Sequence, residues 1–109
     1  DHKLVFECSM VATRPVNIGK ELELVAAYET LSETHWNAPY IEPNFTPNMV
    51  VNIDNFIDTK INALRCYESQ INEDSGPRSI KAIRALAEFR GTQSGFNFGE
   101  ALYIIRMIG

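Results

Sequence analysis

Apolar residues recur at helical spacing through Leu4, Cys8, Val11 and Ala12, and Pro15 ends the run. The spacing predicts an amino-terminal helix with His2 in its first turn. Asn17, Ile18 and Gly19 then make a connection, with Gly19 free to take a positive φ. From Leu22 to Thr30 the pattern alternates and then runs apolar through Leu24, Val25, Ala26, Ala27 and Tyr28, which predicts a strand buried on at least one face. A long loop follows, stiffened by Pro39, Pro43 and Pro47. The β-branched run Met49 to Ile53 predicts a second strand. Asp54 or Asn55 is suited to cap the next helix, whose apolar stripe is Ile57, Ile61, Leu64, Tyr67 or Glu68, and Ile71, with Asp58, Lys60, Asn62 and Arg65 on its polar face. After a turn at Asn72 to Gly76, Pro77 opens a helix that turns Ile80, Ile83, Leu86 and Ala87 inward, carries an Arg84 to Glu88 pair outside, and closes at Gly91 as a left-handed cap. Ala101 to Ile108 admits strand or helix, and Tyr103, Ile104 and Ile105 tilt it to strand.

The predicted order is helix, strand, loop, strand, helix, helix, strand, which is α/β material. Two or three strands make an incomplete sheet, and a buried parallel sheet needs neighbours on both edges, so further strands are expected upstream of Asp1. Glu29 to Asn37 crowd polar and aromatic groups just past the carboxyl end of the first strand, where open α/β sheets place a ligand crevice. A site is expected there.

Composition narrows the classes. The chain has 109 residues, 45% hydrophobic and 22% charged, as expected of one globular domain with a modest core. No apolar run approaches the roughly 20 residues of a membrane span, and no signal-peptide pattern opens the chain. A net charge of -4 with no basic cluster argues against a nucleic-acid face. Cys8 and Cys66 sit in helical patterns without C-x-x-C spacing and read as reduced core thiols of a cytoplasmic protein, a disulfide between them being the alternative. The acidic balance and the proline-braced loop are compatible with subunit contact in a homo-oligomer.

An ordered set of short segments carries a family resemblance. Asp1-His2 before a helix, Tyr28-Glu29-Thr30-Leu31, Trp36-Asn37-Ala38-Pro39, Pro47-Asn48 before a strand ending Ile53-Asp54, Lys60 to Gln70, Arg90-Gly91-Thr92-Gln93-Ser94-Gly95 and Gly99-Glu100-Ala101-Leu102 span the chain. Together they resemble the carboxyl-terminal half of the LmbE/PIG-L family of zinc-dependent N-acetylglucosamine deacetylases. The resemblance implies a Rossmann-like three-layer fold of which residues 1–109 are the carboxyl-terminal part, the amino-terminal strands being missing. It implies hydrolysis of the acetamide of an N-acetylated amino sugar or its conjugate by zinc-activated water. The family's second motif ends in Asp-His, and its last histidine completes the zinc site. His2 falls on that position, and Asp1 would orient the site's histidines. The family's His-Pro-Asp-Asp motif and a histidine three places before His2 have no counterpart in this sequence. An LmbE-like binding or oligomerisation module without the metal is the alternative from another class.

Each candidate also has a plainer interpretation. Taken alone, His2 is an exposed terminal histidine. His35 is more often a solvated loop residue than a catalytic one. Trp36 stacks on a sugar ring or, more commonly, anchors its own loop against the core. Glu29, Glu33 and Asn37 hold sugar hydroxyls or form a solvated rim. Arg90 and Arg106 read as ion-paired or helix-end residues.

Overall fold

The structure is a computed structural model that describes residues 1–32, 36 and 44–109. It is a small mixed α/β arrangement with helices α1 (His2–Ala12), α2 (Ile57–Arg65) and α3 (Ile80–Thr92) and strands β1 (Leu24–Tyr28), β2 (Met49–Asn52) and β3 (Gly99–Met107). The strands form one sheet in the order β1-β3-β2. Two compact units are distinguished: Asp1–Ala27 with Ile104–Gly109, and Tyr28–Tyr103.

In the second unit β2 and β3 are antiparallel, with Asn52 opposite Gly99 and Val50 opposite Ala101. The sheet is therefore not the parallel one expected of a Rossmann-like fold. The physical reason lies in the connection. α2 and α3 together return the chain to the end of the sheet from which it left, so β3 starts beside the residue where β2 stops. A single helix would have delivered it to the opposite end and a parallel pairing.

The core of this unit is the cluster Ile53, Ile57, Ile61 and Ala87, with Ile80 and Phe98 packed against it. Ile57 and Ile61 are one helical turn apart on α2, and burying each contributes about 1.5–3 kcal/mol. Tyr67, expected to continue that stripe, is 65% exposed because α2 ends at Arg65 and the chain turns through Glu68–Gln70. Asp54 does not cap α2. Its Oδ1 accepts the Phe98 backbone N–H at 2.6 Å and its Oδ2 accepts Asn97 Nδ2 at 3.1 Å, tying the β2–α2 corner to the segment that enters β3. α3 starts later than Pro77. Its cap is Ser79, fully buried, whose Oγ accepts the Ala82 N–H at 3.1 Å.

Gly91 is not a left-handed cap but a buried residue inside α3. A Cβ there would meet Phe98 N at 2.7 Å, and one at Gly99 would meet Gly91 N at 2.9 Å, so two glycines let helix and strand backbones touch. The left-handed turn falls four residues later, at Gly95 with φ 82°. Arg84 reaches Asp58 of α2 at 3.2 Å instead of forming the expected pair with Glu88 along its own helix.

In the first unit α1 forms as its spacing predicts, yet none of its residues is buried, and Leu4, Val5, Phe6 and Val11 are each more than half exposed. Asn17, not Gly19, takes the positive φ, and a Cβ at Gly19 would run into the Arg14 carbonyl oxygen, so space and not φ requires glycine there. Arg106 donates to that glycine's carbonyl at 2.9 Å. Ile108 N–H bonds to Glu23 O at 2.9 Å, extending the pairing at this end. Cys8 of this unit and Cys66 of the other are free and exposed, not core thiols. Cys66 lies just past the end of α2, and α1, which carries Cys8, buries none of its residues. Among the described residues no helix is long and apolar enough to cross a membrane.

Replacing Gly91 by alanine is expected to destabilise the protein by about 1–3 kcal/mol, because the β-carbon meets backbone that has nowhere to move. Gly95→Ala has open space and only backbone strain, about 1 kcal/mol. Urea unfolding midpoints of the two variants, compared at equal slope, should fall in that order.

Candidate functional site

The second unit contains a cavity of about 330 Å³ that opens at the carboxyl end of β1. Tyr28, Glu29, Thr30 and Leu31 form one wall, Lys60, Ala63, Leu64 and Tyr67 come from α2 and the residues after it, Ile83, Leu86, Ala87 and Arg90 from α3, and Gly99, Glu100 and Ala101 from β3. The floor is aliphatic. Its walls carry two ion pairs formed between distant parts of the chain.

The first pair is Glu29 with Arg90. Arg90 Nε donates to Glu29 Oε2 and an Nη to Oε1, both at 2.8 Å, with the two side chains only 14% and 11% exposed. The fork-on-fork geometry is the strongest arrangement open to these groups. Glu29 is set by the end of β1, whose chain is held against β3 by the Glu29 N–H to Ala101 carbonyl bond at 3.2 Å. Arg90 is set by the last turn of α3. The hydrogen bonds that Arg90 donates to Glu29 raise the Arg90 pKa above its ordinary value, burial opposes them, and the carboxylate's charge adds to the rise. A raised value in the folded state means that this group's contribution is complete at lower pH and is lost only as pH rises through that already alkaline value.

The second pair is Lys60 Nζ with Glu100 Oε2 at 2.6 Å, about a third exposed on each side. At the rim Arg78 donates to Gln70 Oε1 at 2.8 Å. Lys60, expected on the solvent face of its helix, is thus turned to the cavity, since β3 brings an acidic residue beneath α2.

Among the described residues singled out in the sequence, Glu29, Thr30 and Arg90 line this cavity, and the Glu29 carboxylate is engaged by Arg90 before any ligand arrives. Asp1 and His2 lie in the first unit at the start of α1, both exposed; Asp1 occupies the cap position without a side-chain capping bond. Trp36 is 74% exposed and borders a shallow depression with Pro77, Ala82 and Ala85, so it does not anchor its loop in the core. His35 and Asn37 lie outside the described residues. Lys60, Arg78 and Glu100 were missed as cavity residues. Their alternation with apolar neighbours looks the same for a solvated face and for a cavity wall.

Among the described residues no three of His, Cys, Asp and Glu come together as a metal site. His2 with Asp1 does not supply the three-ligand set that a catalytic zinc requires, so the described residues do not by themselves fit that ion. No protein-family model matches the chain, and no curated protein matches it.

Removing one member of the inner pair leaves the other as an uncompensated buried charge. Glu29→Leu and Arg90→Met are each expected to destabilise by about 3–5 kcal/mol, and the double variant to recover most of that loss. Chemical unfolding of the four proteins in this cycle measures it.

Proposed function

We propose that the chain is the carboxyl-terminal part of an LmbE-like hydrolase that removes the acetyl group from an N-acetylated amino sugar or its conjugate. The finer fold is then a Rossmann-like three-layer domain whose parallel strands lie outside these residues, with the antiparallel pair β2 and β3 at its edge. What carries the reading is the convergence of its motif segments. Tyr28-Glu29-Thr30-Leu31, one face of the Lys60 to Gln70 stretch, Arg90 and Gly99-Glu100-Ala101 are up to about 70 residues apart along the chain and line one cavity. Segments retained only for solubility have no reason to meet. Tyr28 and Tyr67 beside paired carboxylate and guanidinium groups are also the residue types that hold sugar rings and hydroxyls.

In this proposal His2 is one zinc ligand, Asp1 orients the metal-site histidines, and the remaining donors come from polypeptide outside these 109 residues. His35, Trp36 and Asn37 belong to the substrate loop that follows β1, and the protein is cytoplasmic.

The test uses the natural full-length protein. Zinc measured by mass spectrometry is expected at about one per chain, with acetate released from N-acetylglucosamine conjugates. His2 is exposed, so His2→Ala is expected to fold normally while losing zinc affinity at least tenfold. A metal-free protein that releases no acetate would sink the proposal.

A second reading, an interaction module without metal, is favoured by α1, whose apolar residues find no burial within their own unit. Light scattering on the same sample separates the two: a metal-free oligomer decides for the module, a zinc-loaded active protein for the hydrolase.

A further inference from the structure

We infer that the cavity of the second unit is a binding site in its own right for a neutral, largely apolar small molecule carrying a hydroxyl or amide N–H. The inference does not depend on the hydrolase reading or on any metal. Three observations carry it.

The first is size and surface. At about 330 Å³ the cavity is at the small end of the range of ligand pockets, and its floor is Ala63, Leu64, Ile83, Leu86 and Ala87. Such a floor favours an apolar body, of the kind the non-sugar part of a conjugate supplies, over a hydrated ion.

The second is charge. The ionic groups of the cavity are already engaged: Glu29 by Arg90 at 2.8 Å, Lys60 by Glu100 at 2.6 Å, and Arg78 at the rim donates to Gln70 at 2.8 Å. An ionic ligand would have to take one member from its partner, leaving the other uncompensated in a partly desolvated place, or enter without a counter-ion. A neutral ligand does neither.

The third is a directed acceptor. Lys60 bonds Oε2 of Glu100, and Oε1 of the same carboxylate is the acceptor that a ligand hydroxyl or N–H can use beside the apolar floor. One donor on an otherwise apolar body is the matching chemistry.

Calorimetric titration of the full protein with three molecules of one shape tests this: 2-naphthalenemethanol, 2-naphthoate and the protonated 2-naphthylmethylamine. The alcohol is expected to bind once per chain with a sub-millimolar dissociation constant, at least tenfold tighter than either ion. Ala63 lines the cavity from an exposed position of α2, so Ala63→Trp should fill the space without unfolding the protein and weaken the alcohol at least tenfold. Ala85→Trp, on α3 but outside the cavity, should bind like the natural protein. Circular dichroism checks the fold of both, and Leu86→Trp replaces Ala63→Trp if the latter fails to fold. Absence of saturable alcohol binding, equal or tighter binding of either ion, or unchanged binding by a folded cavity-filling variant overturns the inference.

Discussion

The bidentate bond between Glu29 and Arg90 is the constraint on which the second unit turns. It spans 61 residues and fixes the end of β1 to the last turn of α3. The hydrophobic cluster beneath it has only four buried members, so the polar ties at its edges matter more than in a larger domain. Asp54 does at the β2–α2 corner what Glu29 does at the cavity: a carboxylate used across the chain holds a turn in place. Both groups are half-hidden, where charge-assisted hydrogen bonds retain strength that exposed pairs such as Arg84 with Asp58 lose to solvent.

The cavity is a consequence of the same geometry. Gly91 and Gly99 let α3 lie directly on the strand, which lowers one wall, while Lys60 and Glu100 hold α2 at the length of a lysine side chain from β3. The helices thus approach the sheet closely at one end and stand off at the other. The gap is lined in part by alanines and leucines of α2 and α3, which pack against each other through Ile57, Ile61 and Ala87. Filling it with protein would have required larger residues at Ala63 and Ala87; their small size leaves room for a ligand.

The first unit has a different character. Its helix obeys helical periodicity without burying a residue, and its strand residues alternate between half-buried and exposed. Periodicity there specifies which face is apolar but does not supply what covers it. This contrast between a unit with a core and one with an uncovered apolar helix is the physical ground for keeping an interaction role beside the enzymatic one.

Much of the element order was legible in the chain. Helical spacing at Leu4, Cys8 and Val11, the β-branched run before Asp54 and the Ile80 to Ala87 stripe each produced the element observed, because periodicity is a property of neighbouring residues and survives any packing. A cavity lies at the end of β1, where the crowd of polar groups pointed, and of the described polar residues in that stretch Glu29 and Thr30 line it. What only the tertiary structure decided was partnership. Gly91 looks like a cap until Phe98 is found against it, Asp54 like a helix start until its oxygens are found on residues 97 and 98, and Lys60 like a solvent-facing charge until Glu100 appears 2.6 Å away. Whether β3 pairs parallel or antiparallel likewise depends on where two helices return the chain. Local spacing can say which residues share a face, but which faces meet is settled by a global balance of burial and hydrogen bonding that no short window of sequence contains.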